Sequence, residues 1–282
     1  MKKTVGKIFL RVFIKSFFIV FLLIGIGAIS YTAVMRYMKE PYDNHAEDYI
    51  NLQEDVVIKE ARVEDISKNI IFSVNEENGE ISKILLEIFH CEAKKLYYIT
   101  VPIRTQFTMS DTLYQKLVPV YPAIPQVIKL SNITKYFPEE TLYEYGALII
   151  DDLFGINTSY YTVIPKDIYE TIFVSKNITL EEDNMEEGQT VDRSITKEVF
   201  SDEYLTLLET IKTAEDLSNY IEGIYSAVDS NLSLNQKMNY FESYINLKQN
   251  NIYFEILIGE DKNSAYIIKE EKVNEQLENY MR

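Results

Sequence analysis

Apolar positions along the chain come first as one long run and then as short blocks between polar turns. Residues 16–35 (SFFIVFLLIGIGAISYTAVM) hold 20 positions without a charge. As a helix rising 1.5 Å per residue, that run spans about 30 Å, the thickness of a bilayer's hydrocarbon core. Lys2, Lys3, Lys7, Arg11 and Lys15 precede it, and the first acid is Glu40. The positive-inside tendency therefore puts the N-terminus in the cytoplasm and everything after Arg36 outside a plasma membrane crossed once. The run exceeds the usual signal h-region and ends in Tyr31-Thr32-Ala33-Val34-Met35-Arg36, a poor cleavage site. An uncleaved anchor is preferred over a removed signal peptide.

The expected organisation is a basic cytoplasmic tail at 1–15, a transmembrane helix at 16–35, a juxtamembrane linker at 36–66 and an exported domain at 67–282. Within the linker, 49–62 could form a helix. Beyond it, 69–74 (NIIFSV), 83–89 (KILLEIF) and 96–101 (LYYITV) are apolar blocks of strand length. Asn78-Gly79 supplies a turn between the first two, and 90–95 is short enough for a hairpin connection. Near-continuous apolar character implies strands covered on both faces. Pro102 ends the third strand, and Pro119, Pro122 and Pro125 make 103–137 a long loop with short helices at most.

Leu142, Tyr145, Ile149 and Leu153 fall at helical spacing over 139–153, with Gly155 as a left-handed cap. A strand at 160–164 and a short helix at 166–173 follow. Residues 181–198 are acidic and unpatterned and read as a mobile surface loop. Thr213-x-x-Asp216 and Ser233-x-x-Gln236 are capping boxes. The first opens a helix facing inward with Leu217, Ile221, Ile224 and Val228; the second, one with Met238, Phe241 and Ile245 inward. A last strand at 252–258 and a charged surface helix at 269–281 complete the chain. The fold class is α/β, a central mixed sheet sandwiched by helices behind one N-terminal transmembrane helix.

Composition narrows the function. The 282 residues carry 28 basic and 44 acidic side chains, a formal charge of −16, which argues against nucleic acid as a partner. Hydrophobic content of 46 %, with 22 Tyr and 14 Phe, excludes a disordered chain. One cysteine, Cys91, excludes an internal disulfide framework, and two histidines leave little for a histidine-ligated metal. No GxGxxG, P-loop, HExxH or GxSxG motif occurs. The neighbouring acids Glu139-Glu140 and Asp151-Asp152 read as helix-surface charge.

Three blocks resemble the LytR–CpsA–Psr family of cell-envelope proteins. Residues 79–107 (GEISKILLEIFHCEAKKLYYITVPIRTQF) are similar, without a gap, to the family's GRSDTMMLVSINPKTKKVTLLSIPRDTYV. Residues 129–169 resemble its KINAAYAYGG…EELLGIPIDYYVVVDFDGF block, and 229–259 its segment around TDLSLDELLSLA. The resemblance implies an anchored, exported α/β/α domain. It implies an activity that attaches glycopolymer carried on polyprenyl pyrophosphate to peptidoglycan, with magnesium and clustered Arg and Asp residues. It also implies an apolar pocket for the polyprenyl chain.

The motif residues depart from that pattern. Glu80-Ile81-Ser82-Lys83 stands in place of Arg-Ser-Asp-Thr, and Val101-Pro102-Ile103-Arg104-Thr105 in place of Ile-Pro-Arg-Asp-Thr. The RFRxxxGDxxRxxRQQ block has no counterpart, and Pro165 replaces the Asp after the strand. A magnesium-bound pyrophosphate needs several positive groups and one or two carboxylates together. The expectation is therefore a degenerate member with weak or no transferase activity, which binds lipid-linked or wall glycopolymer, or a partner. No cofactor is expected, with magnesium relevant only if the family activity survives. The alternative is a transferase with a rearranged site. Arg104 and Lys129 are the ligand-binding candidates and Asp111 the candidate metal carboxylate. For Arg104, pairing with a surface acid is the weightier alternative.

Overall fold

The apolar block at 69–74 becomes the spine of the molecule. In the computed structural model, which describes residues 60–178, 195–262 and 264–282, it lies in β1 (Ile66–Asn75). β1 sits between β2 (Glu80–His90) and β6 (Tyr160–Pro165), so neither of its edges is free. The expected tail, the span at 16–35 and the linker up to residue 59 lie outside the described residues. No described helix is long and apolar enough to cross a membrane.

The main sheet has six strands in the order β10-β3-β2-β1-β6-β9, with β3 at Lys95–Val101, β9 at Asp229–Ser230 and β10 at Ile252–Ile256. β1 and β6 are parallel, as are β3 and β10, while β2 runs antiparallel to both β1 and β3. Hence β1, β3, β6 and β10 all end at the same edge. Gly79 (φ 69°) turns the chain into β2, and Lys94 (φ 52°) turns it into β3. Lys94 occupies the left-handed region that normally favours glycine or asparagine.

Side chains alternate across the strands. One face of the sheet carries Ile70, Phe72, Leu86, Ile88 and Ile99, all fully buried. It packs under helix α2 (Leu142–Phe154) and the C-terminal helix Glu270–Met281, whose Gln276 accepts from Ile258 N (3.1 Å) and donates to Ile256 O (2.9 Å). The charged C-terminal helix thus has a buried stripe of Val273, Gln276 and Leu277. The opposite face is covered by later elements and holds the cavity described below. A central mixed sheet between helical layers matches the expected class.

Several local expectations are corrected. The segment 103–137 builds a second sheet, β11-β12-β4-β5, from β4 (Thr105–Thr108), β5 (Val127–Lys129), β11 (Gly259–Lys262) and β12 (Ala265–Ile268). It also contains helix α1 (Asp111–Leu117), capped by Ser110. Short strands interrupted by proline-rich turns hide sheet from a periodicity argument. The acidic loop does not extend to 198: β8 (Ile195–Phe200) pairs with β7 (Phe173–Ile178), while 179–194 lies outside the described residues. The expected linker helix is not seen at 60–62, which has no regular structure before β1.

Both capping boxes form. The second opens only a broken helix, Leu234–Lys237 then Phe241–Ile245, and its inward residues are Lys237, Tyr240 and Tyr244. Ile245 is 46 % exposed. The 3₁₀ turn Met238–Tyr240 between the two pieces shifts the phase of the face.

The main sheet, its two covering layers and the buried core all come from one compact unit, Val57–Arg282. At its second sheet, a Cβ on Gly259 would lie 2.6 Å from the Ile267 carbonyl oxygen and 2.5 Å from Tyr266 Cε1. The backbone cannot yield as a side-chain tip can, so Gly259→Ala is expected to destabilise this unit by about 1–3 kcal/mol in urea unfolding. An unchanged midpoint would show that β11 and β12 separate more easily than their register implies.

Candidate functional site

Strand register sets the cavity-side face of the main sheet in three rows. Tyr160, Asn69, Glu87, Tyr98 and Phe254 form the first, and Thr162, Ile71, Leu85 and Thr100 the second. Ile164, Ser73 and Lys83 form the third, at the edge where the parallel strands end. Rows are about 7 Å apart, twice the rise of one strand residue. A polar row, a row in which Ile71 and Leu85 lie between two threonines, and a second polar node therefore follow one another along the sheet.

Over this face close helix α3 (Lys166–Ile172), the β7–β8 hairpin, helices α4 (Asp202–Thr210) and α5 (Ala214–Tyr225), and the broken helix of α6 (Leu234–Lys237) and α7 (Phe241–Ile245). They enclose a cavity of about 360 Å³, within the range of small-molecule sites. Its walls are chiefly apolar: Ile71 and Leu96 from the sheet, Phe173 and Phe200 from the hairpin, Leu208 and Ile221 from the helices. Lys212, Thr213, Ile245 and Gln249 are lining residues that are also exposed, and they mark the opening.

The polar row holds a buried ion pair. Lys237 Nζ lies 3.9 Å from Glu87 Oε1, with both side chains largely hidden (12 % and 7 % exposed). The ammonium donates to the Tyr160 and Tyr244 hydroxyls and sits 5.0–5.7 Å from the ring centres of Tyr160, Tyr240 and Tyr244. This tyrosine cage stabilises the cation through the ring quadrupoles. Burial pushes the Lys237 pKa down and Glu87 opposes the shift. Burial, reinforced by the Glu87 charge, holds the Tyr98, Tyr160 and Tyr244 hydroxyls well above the ordinary tyrosine value, so they stay protonated.

At the strand-end node, Lys83 Nζ donates to Glu198 Oε1 (2.8 Å) and to Ser175 Oγ (2.7 Å). Ser175 in turn donates to Glu198 Oε1 (2.6 Å), and Glu198 N donates to Thr100 Oγ1 (2.9 Å). Glu198 is almost completely buried and Lys83 about one third exposed. A β-bulge at Ser73/Val74 lets Ser82 face the same way, its hydroxyl donating to Ser73 O (3.1 Å). Neither Glu198 nor Lys237 was singled out in the sequence. Glu198 falls in an acidic stretch that resembles solvated loop, and Lys237 precedes a break in helical phase.

The three expected site residues lie outside the cavity, in or beside the second sheet, where Lys129 pairs opposite Gln106, two positions from Arg104. Arg104 follows β3 as expected, but its guanidinium forms a two-pronged pair with Asp261 of β11, one contact being 2.9 Å. Lys129 donates to Ser264 O (2.8 Å), and Asp111, the first residue of α1, accepts from Gln126 Nε2 (2.8 Å). None of the three lines the cavity. Among the described residues, no group of three or more His, Cys, Asp or Glu is arranged to hold a metal ion.

No family model matches the sequence, and a comparison with curated proteins finds no match either. Solved structures do match. Protein gbs0355 from Streptococcus agalactiae superposes with a TM-score of 0.51 at 12 % identity, over 76 % of this chain and 87 % of that one. The chain has a LytR–CpsA–Psr-like fold. TagV from B. subtilis (TM-score 0.49, 10 % identity, 78 % and 98 % of the two chains) is also similar. So is TagT in a structure bound to LI-WTA (TM-score 0.47, 12 % identity, 80 % and 94 %).

Set beside the LytR–CpsA–Psr pattern, Ser82 stands where the family has the Asp of Arg-Ser-Asp-Thr, and a hydroxyl bonded to Ser73 replaces that carboxylate. The neighbouring Lys83 has its charge neutralised by Glu198. Magnesium does not fit this node, whose one carboxylate is already held by a lysine and a serine.

Proposed function

We propose that the protein is a membrane-anchored, extracytoplasmic envelope protein that holds the apolar part of a lipid-linked envelope molecule in its cavity and does not transfer it. The observation that carries this reading is the pairing of Lys83 with Glu198 at the strand ends, beside an open apolar cavity. Ligands of open α/β sheets gather at the carboxyl ends of the strands. There, a diphosphate would need unpaired cations, and a lysine already neutralised offers little to a developing charge. The apolar walls meanwhile retain the means to bury a chain, at roughly 25 cal/mol per Å² of apolar surface covered. The anchor belongs to this proposal through the uncharged run at 16–35 and the basic tail before it.

The alternative keeps phosphoryl-linked transfer, with Arg104, Asp111 and Lys129 as a rearranged site. Their separate pairings to Asp261, Gln126 and Ser264 speak against it. Incubation of the Val57–Arg282 unit with a polyprenyl diphosphate-linked saccharide, peptidoglycan acceptor and magnesium decides between them. The expected result is no phosphate-linked product above the protein-free control. Steady turnover that disappears in Arg104→Ala would overturn the proposal.

A further inference from the structure

The cavity is open at one end of the sheet and shut at the other. One row ahead of Glu87 and Tyr98, Phe89, Leu96 and Ile252 stand abreast, and Leu96 and Ile252 line the cavity. Ile245 and Gln249, two of the exposed lining residues, come just before β10 in the chain. The opening therefore lies toward the amino-terminal ends of the parallel strands. At their carboxyl-terminal ends the lining is Ile164, Ile172 and Phe173, only 5 %, 8 % and 4 % exposed. Lys83, Ser175 and Glu198, at that same end, are not part of the lining. From the row of Leu96 to that of Ile164 the floor runs over three row spacings, roughly 20 Å along the strands. The ion pair between them is no obstacle. Tyr160 OH accepts from Lys237 and donates to Glu87, so the pair needs nothing from a ligand.

We propose that the cavity takes a single-chain amphiphile tail first through this opening, its polar head staying at the rim and never reaching the Lys83–Glu198 node. The proposal rests on the reading of the cavity as the ligand site and adds the class of ligand and its direction. A head carried in first would lodge against Ile164, Ile172 and Phe173, losing its water and finding no side-chain donor there. With the tail first, the chain's end meets that wall and apolar surface is covered along the floor. The rim suits the junction of chain and head, because it joins the exposed Ile245 to the polar Lys212, Thr213 and Gln249. It carries both signs: Asp216 accepts from the Lys212 and Thr213 backbone N–H groups (3.2 and 3.0 Å), so no one head charge is favoured. The head remains in solvent, and its size matters little.

Photolabelling of the full-length protein in phosphatidylcholine vesicles reads the direction. The probes are palmitate with a diazirine near the carboxylate, palmitate with a diazirine at the tail end, and an alkyl maltoside with a tail-end diazirine. Labelled positions are located by peptide mass spectrometry. Both tail-end diazirines are expected to label 164–173, whatever the size of the head. The carboxylate-end diazirine is expected to label 211–213 or 245–252, and excess unlabelled palmitate to abolish all of this labelling. Exchange of the two palmitate patterns, or one pattern for both, overturns the inference. So does failure of the maltoside to label 164–173 where tail-labelled palmitate does. Those outcomes leave the cavity as a ligand site. Absence of competable labelling in either segment with all three probes removes the cavity reading itself and this inference with it.

Discussion

Lys237→Met is expected to lower the unfolding free energy of the Val57–Arg282 unit by about 3–5 kcal/mol, the usual cost of removing one partner from a buried ion pair. The loss has three sources. Glu87 is left without its counter-ion in a site that is 7 % exposed, the three-ring tyrosine cage loses its cation, and the Tyr160 and Tyr244 hydroxyls lose a donor. Because the cost comes mostly from the orphaned charge, adding Glu87→Leu is expected to restore most of the loss. Urea unfolding of the parent, both single variants and the double variant gives the coupling directly. A single-variant loss below about 1 kcal/mol would mean that water reaches the pair freely.

Ile221→Trp should have the largest effect on binding. Ile221 is the buried residue of α5 and projects into the cavity. An indole there occupies the volume that a chain would need. Affinity for an apolar chain is expected to fall at least about tenfold, the equivalent of 1.4 kcal/mol or more. Stability changes little, because the added atoms enter open space and not packed core, where overfilling costs about 1–3 kcal/mol. Binding by displacement and unfolding by urea on the same sample separate the two effects. Retained affinity would place the chain outside the cavity.

Much of the fold was legible because its long strands are apolar on both faces. NIIFSV, KILLEIF and LYYITV are buried from above and below, so their near-continuous character reports a covered sheet directly. Gly155, at φ 62°, ends its helix as its position suggested, and both capping boxes close. What stayed hidden depends on contacts distant in the chain. β4 and β12 are short and gain their meaning only by pairing across more than a hundred residues. β8 reads ITKEVF, where the inward Glu198 and outward Lys197 look alike in a sequence.

The candidate site was legible in its losses more than in its replacements. The missing aspartate at Ser82 and the displaced arginine at Arg104 were apparent in the motifs. That Arg104 turns to Asp261, and that Lys83 meets Glu198 across 115 positions of chain, required the tertiary structure. Arg104 shows why a charged residue after a strand is ambiguous. The same guanidinium geometry that grips a phosphate grips a carboxylate equally well.

The most direct measurement is calorimetric titration of the Val57–Arg282 unit with inorganic pyrophosphate in the presence of magnesium. With Lys83 held by Glu198 and no carboxylate at Ser82, the account predicts no saturable heat. A saturating isotherm that is lost in Lys83→Ala would contradict it.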